Sequence, residues 1–457
     1  MSAALCLFTH DLRLDDNRVL LEAQRHNAIL PLYVVDERWF KPIHYSLPSM
    51  GAERWQFTRQ AVQAFDEQLS RYGQHLTVLM GDVVECVSAA LLASDADTVI
   101  TCRPKGWLER QQLAKLLQLN PSLNVTLVDN DTLFEFDDSW LGSGLAKQYT
   151  PFRKQAERSA IGTVTMLPQA LPPPPKGDAL DMSSHHLCVA TNELANLTGG
   201  NKTSPASGQF LGGEKTAKKH VHSYFASGAA SSYKQTRNEL SGWDTSSKWS
   251  PWLAQGSLSA RWLYQTIEDY EASYGANDST QWLKVELFWR EYFQWLALKL
   301  GNDLFAVGGV KNKRLTTSFY PERFKRWCQG NTPYPLVNAC MKELSKTGFM
   351  SNRGRQLVAS CLVNELEVDW RYGAAWFEHK LIDYNVGSNW GNWQYIAGVG
   401  VDPRGGRRFD LDKQQRDFDP DFEYVKQWLG DDFIASTQCR IDSLDYNGWP
   451  LLHDIER

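Results

Sequence analysis

The stretch LCLFTHDLRLDDNRVLLEAQRHNAILPLYVV, residues 5–35, decides how the first third of the chain folds. It opens with the short apolar run LCLFTH (5–10) and closes with another, ILPLYVV (29–35). Continuous apolar runs of this length read as strands buried on both faces, the habit of parallel sheets. Three more follow: LTVLM (76–80), TVIT (98–101) and VTLV (125–128). Residues 51–72, 83–93 and 107–118 carry apolar positions at helical spacing. Strands alternating with helices predict an α/β N-terminal domain over residues 1–130, a doubly wound parallel sheet. No GxGxxG follows the first strand, so the dinucleotide fingerprint is absent.

The pattern then changes. PQALPPPPKGDAL (168–180) excludes a helix or an inner strand, and 183–213 is rich in Ser, Asn, Gly and His. Residues 131–213 therefore read as a long interdomain connection. From 214 to 457 the pattern is helical, with GEKTAKKHVHSYF, SLSARWLYQTIEDYEASY and QWLKVELFWREYFQWLALKL as clear cases. The expected architecture is the α/β domain plus a larger all-α domain. Of 18 tryptophans, 14 lie after residue 240, so the helical half has a chemistry that the first half lacks.

Composition narrows the class. With 42% hydrophobic and 22% charged residues, the 457-residue chain is an ordinary globular protein. It has no apolar run long enough for a membrane span and no basic n-region at its start. Eight cysteines without a CxxC point to a reducing compartment, so a cytoplasmic location is expected, with no metal site. A net charge of −5 requires any nucleic-acid contact to come from a local patch.

Several segments carry candidate chemistry. TSSKWSPWLAQGSLSAR (245–261) gathers Ser246, Ser247, Lys248, Trp249 and Ser250 before a helix, where hydroxyls and free amides can cradle a phosphate. VELFWREYFQW (285–295) sets Glu286, Trp289, Arg290 and Phe293 near one helix face, an amphiphilic stripe for a flat, hydrogen-bonding ligand. The plainer alternative is an i,i+4 pair between Glu286 and Arg290 beside core aromatics. NRGRQLVASCLVNELEVDW (352–370) starts a helix with Asn352, Arg353, Arg355 and Gln356. Arg355 at the edge of a core needs a partner, and Asp383 is the best candidate. KNKRLTTSFYPERFKR (311–326), including Lys311, Lys313 and Arg314, has six basic residues interleaved with aromatics, which suits a phosphate backbone and stacked bases. NVGSNWGNWQYIAGVGVDPRGG (385–406) holds three asparagines, three aromatics and seven glycines or serines, a composition a plain helix avoids.

Taken in order, FTHDLRLDDNRVLLEA (8–23), YKQTRNELSGWDTSSKWSPWLAQGSLSAR (233–261), LFWREYF (287–293), GFMSNRGRQLVAS (348–360), DWRYGAAWFEHKLIDYNVGSNWGNWQYIAGVGVDPR (369–404) and FDPDFEYVKQWL (418–429) resemble the photolyase/cryptochrome family. NRGRQ, SNWGNW, AGVGVDPR, YKQTRNEL and TPFRKQAE (150–157) resemble its DASH-type cryptochromes. The resemblance implies that the helical domain binds FAD and that the chain repairs cyclobutane pyrimidine dimers in blue light, by electron transfer from reduced FAD. It implies a DNA partner, with the dimer flipped out of a single-stranded or looped segment, and a monomeric protein. The rival is a blue-light photoreceptor that binds FAD and signals without repair.

The resemblance also assigns residues. Asn389 falls against flavin N5, where an amide adds no competing negative charge. Arg355 and Asp383 match the ion pair beside the ring, and Tyr233, Ser246, Ser247, Ser250, Arg290 and Asn352 match other flavin positions. Glu286 matches the carboxylate that bonds the dimer, Trp289 and Tyr395 its aromatic walls, and Arg237 and Arg353 its phosphate side. Trp393 and Trp370 match the first two members of an electron-transfer chain whose third position is Thr317 here. Asn352 and Gln356 occupy the places of the two histidines that six-four repair requires, so that activity is not expected. Asn385 replaces a second aspartate near the ring, and Gly387 replaces a DASH cysteine. A methenyl folate antenna is a candidate second chromophore, although RPKGWLERQQL (103–113) lacks the acidic pattern expected for it.

Overall fold

The apolar runs become five parallel strands: β1 (Ala3–Phe8), β2 (Ala28–Asp36), β3 (Thr77–Gly81), β4 (Ala96–Cys102) and β5 (Asn124–Val128). The computed structural model describes residues 3–137, 139–166, 169–175, 189, 191, 194, 210–401, 405–431 and 433. The sheet order is β3-β2-β1-β4-β5, the doubly wound arrangement expected, with Leu5 of β1 paired to Leu30 and Val99. Helices α2 (Ala52–Ser70), α3 (Val83–Ser94) and α4 (Trp107–Leu119) fall where the periodicity placed them. Between β1 and β2, α1 (Arg18–Ala23) is too short to show a period. It forms because the Asn17 side chain accepts from the amides of Val19 and Leu20.

The interdomain connection carries structure of its own. A π-helical turn at Trp140–Gly144 and helix α5 (Tyr149–Ala156) pack onto the helical half, with Phe152 4.9 Å from the ring of Tyr292. The proline stretch past Pro175 and nearly all of the polar 183–213 segment lie outside the described residues.

The helical half continues with α6 (Glu214–Ala226), α7 (Tyr233–Thr236), α8 (Ser250–Gln255), α9 (Ala260–Tyr274) and α10 (Asp278–Leu300). It is completed by α11 (Pro321–Gln329), α12 (Pro335–Thr347), α13 (Asn352–Ser360), α14 (Trp370–Lys380), α15 (Val386–Ala397), α16 (Leu411–Phe418) and α17 (Glu423–Leu429). The core around α10 to α15 is rich in buried tryptophan, including Trp295, Trp327 and Trp370.

The first half of the amide- and glycine-rich segment, Val386–Ala397, is a regular helix, contrary to its propensity. The reason is tertiary. A Cβ at Gly387 would lie 2.4 Å from the Phe293 carbonyl oxygen, and one at Gly391 2.4 Å from the Phe293 ring. The glycines let α15 lie directly on α10, so packing gained there offsets their poor propensity. Asn385 caps the helix by accepting from the Ser388 amide at 3.0 Å, and Gly398 ends it at φ +75°.

The two domains are keyed together. Arg261 of α9 bonds Asp16 at 3.0 Å, with both side chains fully buried. Arg13 donates to the Gly256 carbonyl at 2.9 Å, and Glu214 accepts from the Leu14 amide at 2.8 Å. Gly256 has φ +74°, and a Cβ there would sit 1.8 Å from the His10 carbonyl oxygen.

Candidate functional site

A cavity of about 260 Å³ opens between the 245–250 turn, α10, the start of α13 and the start of α15. Segments far apart in sequence meet there: Tyr233, Arg237, the turn Ser246–Ser250, Glu286, Arg290, Asn352, Arg355, Asp383 and Asn385 all line it. Its apolar lining comes from Leu253, Leu283, Leu287, Phe349 and Met350. A concave, largely apolar space with a few converging polar groups is the form of a cofactor site.

On one side lies the expected ion pair. Arg355 donates to Asp383 Oδ2 at 2.8 Å, Ser250 Oγ donates to the same oxygen at 2.6 Å, and Arg355 Nε is held by the Met350 carbonyl at 2.9 Å. Asp383 is only 8% exposed, yet its Oδ1 has no hydrogen-bond partner among the described residues. A buried acceptor left unpaired on a cavity wall is completed by a ligand that brings a donor. The imide edge of a flavin is such a donor, so the residues fit FAD.

The turn opposite is also prepared. Lys248 has φ +49°, and its Nζ lies 3.2 Å from Ser246 Oγ and 5.9 Å from the Phe349 ring. Burial lowers its ammonium pKa to about 8. His220 holds the turn from behind through the Ser247 carbonyl, at 2.7 Å. Trp249 is buried between Tyr224 and Phe225 and works as the foot of the turn.

Glu286 does not pair with Arg290. Its Oε1 accepts from Arg237 and, at 3.0 Å, from Trp282 Nε1. The side chain keeps 36% of its exposure toward the cavity, while the protein around it raises its pKa, by burial against the opposing pull of Arg237. Arg290 instead donates to the backbone carbonyls of Asp131 and Leu253, tying α10 to the connection and to α8. Spacing could have shown Trp282, which stands four residues before Glu286 on one helix face.

The remaining candidates lie around the cavity rather than on its wall. Trp289 meets Tyr395 edge-on at 6.2 Å and is backed by Tyr149, stacked at 3.4 Å. Tyr149 comes from the connection and carried no local signal of this role. Asn389 turns its amide to the Ala374 carbonyl, at 3.0 Å. Trp393 and Trp370 are sealed in the core. Arg353 bonds Asn238 at 3.2 Å and Gln356 at 3.3 Å, with Arg237 and Arg407 near enough to add to the burial that lowers its pKa. Lys311, Lys313 and Arg314 are exposed, on a loop pinned beside the end of α15 by the Lys311 amide and the Val399 carbonyl. Among the described residues no cluster could hold a metal, and no helix is long and apolar enough to cross a membrane.

A smaller cavity of about 120 Å³ sits at the carboxyl ends of β1, β2 and β4, lined by Tyr33, Trp39 and Glu109 among others. That is the switch point of the doubly wound sheet.

The parallel-sheet domain and the helical cavity define a two-domain flavoprotein class, and the comparisons agree. Residues 4–176 match a family model described as DNA photolyase, and 282–432 match one described as FAD binding domain of DNA photolyase. The chain is 45% identical to a Cryptochrome DASH of Idiomarina loihiensis, over 98% of this chain and 96% of that one. It is 42% identical to a Cryptochrome DASH of Vibrio parahaemolyticus, over 97% and 96%. The crystal structure of a Synechocystis cryptochrome superposes with a TM-score of 0.85 at 36% identity, covering 98% of this chain and 94% of that one. This chain belongs to the photolyase/cryptochrome family, in its DASH-type branch, and carries the family's FAD-binding domain.

Proposed function

We propose that the protein is a blue-light-driven photolyase for cyclobutane pyrimidine dimers, acting as a monomer in the cytoplasm on single-stranded or looped DNA. The observation that carries this is the Glu286 carboxyl, aimed at the cavity and held by Arg237 and Trp282. Reduced FAD, when bound, supplies the electron that opens the dimer and receives it back. The protein's part is to place and shield. Arg355, Asp383 and the Ser246–Ser250 turn hold the cofactor. Glu286, held by Arg237 and Trp282, presents its carboxyl to the dimer as a hydrogen-bonding group. Trp289 and Tyr395 give flat and edge-on apolar walls to a flipped dimer. Arg237 and Arg353, with the exposed Lys311, Lys313 and Arg314, supply positive charge to the flanking phosphates. A methenyl folate antenna belongs to the same reading, and Tyr33, Trp39 and Glu109 of the smaller cavity are groups able to hold a pterin.

The test is repair. Purified protein with a reductant and single-stranded DNA carrying one thymine dimer is compared in blue light and in darkness. Light-dependent recovery of thymine is expected. Glu286→Ala should abolish most repair and leave flavin absorption intact. Wild-type repair by that variant would overturn the pocket assignment. A bound, light-reducible flavin with no repair on single- or double-stranded DNA would favour the photoreceptor reading.

A further inference from the structure

TPFRKQAE (150–157) lies outside the flavin cavity, yet the chain there is fastened to the helix that carries Glu286 and Trp289. Tyr149, the first residue of α5, lies parallel to the Trp289 indole, with ring centroids 3.4 Å apart and planes within 8°. Its hydroxyl donates to the Val285 carbonyl at 2.9 Å. In an α-helix that carbonyl also receives the amide of the residue four places on, here Trp289. One side chain therefore touches both the indole and the backbone turn from which it projects.

The brace is itself anchored. The Tyr292 hydroxyl donates to the Ala146 carbonyl at 3.2 Å, and the Tyr292 ring meets Phe152 at 4.9 Å and Tyr149 edge-on at 6.0 Å. Phe152 and Tyr292 are fully buried. Residues 146, 149 and 152 thus grip 285, 289 and 292, which form one stripe along α10 at helical spacing. The other ring contacts of Trp289 are looser, at 5.7 Å to Phe293, 6.2 Å to Tyr395 and 6.3 Å to Tyr292. Burial, then Glu286, raises the Tyr149 pKa, so the phenol stays a donor across the physiological range.

We infer that Tyr149 is a positioning residue for dimer recognition: it fixes the plane of the Trp289 wall, by its stack and by its bond to the Val285 carbonyl. The inference rests on the reading of Trp289 as a wall of the dimer site. A flat ring that must be ordered as the dimer arrives costs affinity, and a ring ordered in advance does not. An intact strand puts no flipped dimer against that wall and gains nothing from the brace. Discrimination between damaged and intact strands is therefore the property that Tyr149 controls. Flavin binding and the opening of the dimer, which use Arg355, Asp383 and Glu286, proceed without it.

The experiment measures, in darkness, the binding of the FAD-loaded protein to a labelled single strand with one thymine dimer and to the same strand without it. Wild type is compared with Tyr149→Phe and Tyr149→Leu. Repair per absorbed photon is read on the bound complex, and a thermal melt with the flavin spectrum checks fold and cofactor. Phenylalanine keeps the stack and loses the hydrogen bond, so Kd for the damaged strand should rise about three-fold. Leucine loses both, and that Kd should rise about ten-fold. Kd for the intact strand and repair per photon in the complex should stay at wild-type values. In a Trp289→Ala background, Tyr149→Leu should change nothing further. An unchanged Kd in either variant, an equal rise for damaged and intact strands, or a Tyr149→Leu effect that persists without Trp289 would overturn the inference. A wild type that binds flavin and shows no preference for the dimer would instead defeat the dimer-site reading, and the inference with it.

Discussion

Replacing Asp383 by asparagine probes the cofactor site at its least satisfied atom. Oδ2 already accepts from Arg355 and Ser250, at 2.8 and 2.6 Å, while Oδ1 is unpaired. Asparagine keeps one oxygen for Arg355 and Ser250, so the local fold should hold. Its amide group then puts a donor where a charged acceptor stood. A hydrogen bond to a charged group contributes about 1.5–3 kcal/mol. At about 1.4 kcal/mol per decade, FAD binding should weaken roughly 10- to 150-fold. Titration of apoprotein with FAD, followed by flavin fluorescence, gives the affinity, and a thermal melt of the apoprotein checks the fold. A change in Kd below about two-fold, with the melt unchanged, would refute the role given to Oδ1.

Other outcomes follow from the same geometry. Lys248 needs its charge to meet an anion, and its pKa is lowered to about 8. FAD affinity should therefore fall as pH rises through about 8, by up to about tenfold per unit, and Lys248→Met should flatten that slope in the same titration. Gly391→Ala would force a methyl to within 2.4 Å of the Phe293 ring, and overpacking of this kind costs about 1–3 kcal/mol, measurable by chemical denaturation.

The α/β sheet was legible because its strands are buried on both faces, which leaves continuous apolar runs such as ILPLYVV. Helix α15 was not legible from local composition. Its glycines report a contact with Phe293, a residue almost a hundred positions away, and no local propensity contains that information. Site residues divide in the same way. The pairing of Arg355 with Asp383 could be read because a buried guanidinium demands a carboxylate. The partner of Glu286 was hidden, since Arg237 sits in a different helix-and-turn segment, and the nearer Arg290 is drawn to backbone carbonyls instead. Tyr149 was hidden for a related reason: a ring in a connecting segment shows its role only when the wall it supports is in place.

The fit of Gly256 against His10, with the buried Asp16–Arg261 pair beside it, packs the two halves closely together. A ligand that meets halves packed this closely should find the cavity already shaped. Encounter should be a single bimolecular event, with an observed rate linear in concentration and no slow plateau. A pigment seated at the sheet would also hold one distance and one orientation to the flavin, so energy passed between them would vary little with temperature or solvent viscosity.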